Sequence, residues 1–236
     1  SSLYSGPRPT NPKSHNDWTT NWVPLKNPMQ LTLRDRTFPI EQAILGAEMQ
    51  CPHWANKWNG GLVPEPSFWL DLQAAAVDYD DETWSPHLTY DLVPYPSRDW
   101  RALANRKIAW TEVTDPATGE RNGNMYVFGH HDIYEAELAF GDLDGLDLEV
   151  SWHGLCDIFW DDEFSDRVPF AVTARAHFAP VRVHGSGADD DSTFLERFAL
   201  YLNPDDFVQG PVMTDGHSYE DGTAMTHCLF TPKTVS

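Results

Sequence analysis

Between residues 134 and 160 the apolar side chains fall on even positions: Tyr134, Ala136, Leu138 and Phe140, then Leu146, Leu148, Val150 and Trp152, then Cys156, Ile158 and Trp160. The odd positions carry Glu135, Glu137, Asp147, Glu149, Ser151, His153 and Asp157. A period of two held this long belongs to strands with one buried and one wet face. The intervening GDLDG reads as a five-residue turn, which predicts a hairpin of residues 133–140 with 146–153. Pairing Phe140 with Leu146 then sets Glu137 directly opposite Glu149. Like charges so placed cost a few tenths of a kcal/mol to about 1 kcal/mol.

The same alternation marks further strands at 68–76, 87–93 and 168–178, with VRVH at 181–184 after Pro180 breaks the register. KIAWTEV and NMYVFGH flank the turn-rich TDPATGERNG and predict a second hairpin with a long tip. Three segments read as short helices. Residues 38–50, FPIEQAILGAEMQ, have Pro39 in the first turn, Glu41 at the positive end and a stripe of Ile40, Ile44 and Leu45. RDWRALAN follows Ser97, and STFLERFALYLN has Ser192 as its expected N-cap. Beyond Pro204 the chain reads as loop with one strand, AMTHCLF. Residues 1–30 hold five prolines and no periodicity, which predicts an extended arm before a single domain at 31–236. The fold expected is β-rich α+β: a mostly antiparallel sheet of about seven strands, curled or sandwiched, with two or three short helices packed on it.

Composition narrows the class. Hydrophobic residues make up 41% of 236, enough for a sizeable core, and no run of eighteen apolar residues exists to span a bilayer. Cys51, Cys156 and Cys228 are odd in number and far apart, so a reducing, cytoplasmic setting is expected rather than a disulfide framework. Charge changes the picture most. Residues 1–70 hold 6 basic and 5 acidic residues, whereas 71–236 hold 10 basic and 31 acidic, and the whole chain carries a net charge of −20. Such a field repels nucleic acid and anionic lipid and speeds encounter with basic proteins.

Reaction signatures are missing. There is no phosphate-cradling glycine loop and no G-x-S-x-G. Cys156 falls on the inward phase as a core thiol. GHHDIYE offers His131 and Asp132 at a strand end, with His153 on the facing strand; imidazole plus carboxylate suits a divalent transition metal and a metal-dependent hydrolase. Glu137 with Glu149 offers a carboxylate pair for glycoside hydrolysis. Trp54, Trp58, Trp69, Trp84 and Trp100 offer a stacking platform for a carbohydrate-binding sandwich.

The reading with most support from the residues is a non-enzymatic acidic binding protein without a cofactor. Glu135, Glu137, Glu149, Asp157, Asp161, Asp162, Glu163 and Asp166 would crowd on one wet face, and a Lys/Arg-rich protein would relieve that crowding. Phe159 and Phe164 supply apolar anchors within it. In physical style this resembles an immunity or inhibitor protein that occupies the basic active site of a nuclease toxin, as a bacterial cell would need.

Overall fold

The computed structural model describes residues 28–50, 65–79, 81–160 and 163–234. Most of the predicted arm therefore lies outside the described residues, as does the Cys51 loop with Trp54 and Trp58. In chain order the strands are β1 (Gln30–Leu33), β2 (Arg36–Met49), β3 (Ser67–Ala74), β4 (Val77–Tyr79), β5 (Glu82–Trp84), β6 (His87–Val93), β7 (Lys107–Trp110) and β8 (Asn124–Tyr126). They continue as β9 (His130–Asp144), β10 (Asp147–Trp160), β11 (Glu163–Phe178), β12 (Val181–Ser186), β13 (Phe207–Ser218) and β14 (Ala224–Pro232). Among the described residues there is one α-helix, α1 (Asp191–Ala199), and two single-turn 3-10 helices at Trp100–Leu103 and Pro204–Asp206.

Eight strands close into a barrel in the order β1, β11, β10, β9, β8, β6, β3, β2. β2 shuts the ring: its first half pairs with β1, and Ile44 and Leu45 run parallel to His177 and Phe178 of β11. The far end of β2 then leaves the ring and pairs in parallel with β12, which continues as the antiparallel run β12, β14, β13. The expected sandwich or curled sheet with two or three helices is thus a closed eight-stranded barrel with an attached three-strand wing and one helix.

One misread segment accounts for much of the difference. Residues 38–50 are not a helix but lie within β2. Phe38 and Ile40 face inward, a bulge between Ile40 and Gln42 inserts a residue, and Ala43, Leu45, Ala47 and Met49 resume inward in the opposite phase. Steps of two broken by one step of three imitate the spacing of a helical stripe. The second predicted hairpin also dissolves. β7 and β8 do not pair with each other; both pair with β9, β8 along 130–132 and β7 along 136–139. RDWRALAN shrinks to a 3-10 turn that lays Trp100 flat on Phe178 at 4.1 Å between ring centroids. Asp190, not Ser192, caps α1, accepting from the Thr193 N–H at 2.9 Å.

Inside the barrel the side chains interdigitate as one apolar cluster that continues under α1. Trp152, Leu138, Leu70, Leu72, Leu88 and Ile158 are fully buried. The helix closes the wing with Phe198 stacked on Phe230 at 4.0 Å. On β10 and β11 the outward positions are mostly polar or charged, among them Glu149, Ser151, His153, Thr173, Arg175 and His177. Among the described residues no helix is long and apolar enough to cross a membrane.

Candidate functional site

The β9–β10 hairpin exists, but its register differs from the one expected. The turn has two residues, Gly145 and Leu146, between paired Asp144 and Asp147, with Gly145 at φ 64°. Phe140 therefore pairs with Val150, Leu138 with Trp152 and Glu137 with His153. Glu137 and Glu149 are not opposite, and the repulsion assigned to them does not arise. Glu149 instead sits beside the bare backbone of Gly141 and across from Arg175 on β11. Eight residues of strand at about 3.3 Å each put Glu149 roughly 26 Å from Asp157. The proposed acidic face is thus divided between the two ends of the barrel.

At the Asp157 end, β9 and β11 both bulge. Glu135 takes φ 44° and Arg167 φ 57°, left-handed values that residues other than glycine seldom adopt in a strand. The two bulges lock together. Arg167 donates from Nη1 to Glu135 Oε1 and from Nη2 to Oε2, both at 2.8 Å. Between them on β10, Asp157 Oδ1 accepts from the Arg167 backbone N–H at 3.0 Å and from the Tyr134 hydroxyl at 2.5 Å. The Arg167 N–H also reaches the Tyr134 oxygen at 3.2 Å. Four side chains from three strands form one knot.

The knot has definite electrostatics. The Arg167 guanidinium holds the Glu135 carboxyl below the usual carboxylate range, and Glu135 in turn raises Arg167. Loss of hydration, then the bond to Asp157, pushes the Tyr134 phenol up to about 12. At neutral pH that phenol is a hydrogen-bond donor and not a base. Two residues along β9, Glu137 accepts from Lys107 of β7 at 2.9 Å, which lowers its carboxyl in the same way. Two of the acids predicted to await a basic partner are therefore held by cations of their own chain. Asp166 stands exposed next to Arg167. Asp161 and Asp162, and the side chains of Phe159, Glu163 and Phe164, lie outside the described residues.

The structure does not bring together the predicted metal ligands. Because the Glu135 bulge inverts the phase of β9, His131 and Ile133 point inward while Ala136, Leu138 and Phe140 also point inward. His131 is 1% exposed and its Nε2 donates to the Val127 carbonyl at 2.9 Å. Asp132 pairs with Arg121 on the outer wall, and His153 is exposed there opposite Glu137. Among the described residues no three His, Cys, Asp or Glu side chains gather as a metal site requires. Of the predicted tryptophan platform, Trp100 is core, Trp69 is half-buried over Gly46, where a Cβ would fall 2.1 Å from the indole, and Trp84 is half-buried against Phe128 at 5.9 Å between ring centroids.

Sequence reasoning missed Tyr134, Arg167 and Lys107. The one available signal was Arg167 itself, a lone cation closing the acidic run that begins at Asp157. Comparison with protein-family models, with curated proteins and with solved structures found no match to this chain.

Proposed function

We propose that this is an acidic binding protein that engages a basic protein through the β10–β11 end of the barrel, in the manner of an immunity or inhibitor protein neutralising a nuclease-type toxin. The observation that carries the reading is the knot of Glu135, Arg167, Asp157 and Tyr134. Barrel curvature accounts for a bulge, but not for placing a glutamate and an arginine in left-handed backbone and clasping them across three strands. Such a clasp fixes the root of the ribbon whose next residues in sequence, Asp161, Asp162 and Glu163 followed by Asp166, are the densest acids of the chain. Glu135 and Glu137 then serve as anchors of the site and not as its contact groups. A net charge of −20 supplies the long-range attraction, and the fixed end supplies orientation.

The test is capture on the immobilised full chain from lysate of the source cells, at low and high salt, with the retained proteins identified by mass. A basic protein held at low salt, released at high salt, and inhibited in its own activity by stoichiometric addition of this chain is the expected result. Retention that ignores salt, or that selects neutral or acidic proteins, would remove the reading.

A further inference from the structure

A second constellation lies on the wing, away from the β10–β11 end. His184 of β12 pairs directly with His227 of β14, and His227 pairs directly with Met213 of β13. Residues directly opposite across a ladder share a face, with Cβ atoms about 4.5–5.5 Å apart. The flanking Val183, Gly185, Thr226 and Cys228 are buried, so the three side chains form one row on the outer face. Met213 is 50% exposed, an unusual place for a thioether.

Each imidazole lies beside a carboxylate. Asp215 takes Nδ1 of His227, and Glu48 of β2 lies 3.7 Å from Nε2 of His184. Glu48 is itself bonded by Gln50 at 3.1 Å, and its carboxyl is lowered chiefly by His184. A carboxylate only accepts, so Nδ1 of His227 donates to Asp215 and its Nε2 is the nitrogen left to face a ligand. Metal-binding histidines are oriented by outer carboxylates in this same way. Among the described residues Arg182, in register with Glu48, also lies on this face. Glu48, Asp215 and Arg182 together carry a net negative charge that favours a cation.

We propose that His184, His227 and Met213 form a site for monovalent copper. Two imidazoles suit copper and zinc alike, but a thioether is a soft donor that discriminates in favour of Cu(I). Three side chains in a row on adjacent strands reach a common point above the middle one, where Cu(I) accepts three ligands. The carboxylates stay in the outer shell, in keeping with the absence of a three-membered His, Cys, Asp or Glu group among the described residues. No electron transfer is implied; the site binds the ion.

The test titrates the full chain anaerobically with Cu(I) against a chromogenic Cu(I) chelator, and separately with Zn(II). One Cu(I) is expected per chain at this site, lost in His227→Ala. The surface variant Met213→Leu should weaken Cu(I) about tenfold or more while leaving Zn(II) affinity within about twofold. Copper X-ray absorption on the wild type should show nitrogen and one thioether sulfur, with the sulfur gone in Met213→Leu. Thermal melts of both variants report folding. Copper held by Cys51, Cys156 or Cys228 would persist in every variant, so equal Cu(I) binding by wild type and variants overturns the proposal. Equal loss of Cu(I) and Zn(II) in Met213→Leu overturns it as well.

Discussion

Tyr134 shows how a single residue sets the chemistry of the knot. Its folded-state value of about 12 lies above the ordinary phenol value of 10, because loss of hydration and then the bond to Asp157 favour the protonated form. The sign follows: its contribution is fully present below pH 10 and is lost as pH rises through about 12. Ultraviolet titration of phenolates should therefore show late-ionising tyrosines, Tyr134 and the buried Tyr90, which is also pushed up to about 12 by loss of hydration. Tyr134→Phe should reduce the late phase by one tyrosine, leaving Tyr90 and Tyr95, which loss of hydration also raises. A late phase unchanged in amplitude would mean that Tyr134 does not ionise late. Glu135 and Glu137 run the other way. Their lowered carboxyls contribute above the ordinary carboxylate pKa and lose that contribution as pH falls below it. Glu135 is exposed and Glu137 half-exposed, so solvent screens the effect.

At the scale of elements, alternation was legible wherever a strand ran without a bulge. In β3, β10 and β11 the even positions are inward as read: Phe68, Leu70 and Leu72; Leu148, Val150 and Trp152; Phe170, Val172 and Phe178. A bulge shifts the phase by one, and no composition marks it. That hid β2 behind a helical stripe, and it made His131 look like a neighbour of His153 when the barrel wall separates them. The two-residue turn at Gly145 and Leu146 rests on the positive φ of Gly145, and GDLDG as a string reads as a longer turn. β13 hides as loop in the sequence because its Gly210–Pro211 breaks alternation, with register shifts on either side of 212–214. β10 also carries Gly154 on an inward position, where the backbone of β9 approaches. A Cβ there would lie 2.5 Å from Ala136 Cβ and 2.9 Å from its Cα. Because backbone must shift to admit it, Gly154→Ala should cost about 1–3 kcal/mol, read from chemical denaturation. An unchanged midpoint would mean that the two strands are farther apart than described.

For the whole molecule, the net charge was visible from composition but its arrangement was not. The length of β10 puts the β9–β10 turn at one end of the barrel and Asp157 at the other, so acids that read as one patch become separate sites. Closure depends on contacts distant in sequence, β2 with β1 and β11, which local pattern does not encode. The separation yields the sharpest test of the binding reading. Asp166 lies at the proposed contact end and Glu149 at the far end, and reversing either to Lys changes the net charge equally. The measurement is the association rate with the captured basic partner for the wild type and the two variants. Asp166→Lys should slow association about tenfold or more and flatten its salt dependence, with Glu149→Lys close to wild type. Equal slowing by both would mean that the partner responds to the overall field and not to this end of the barrel, and the account would fail.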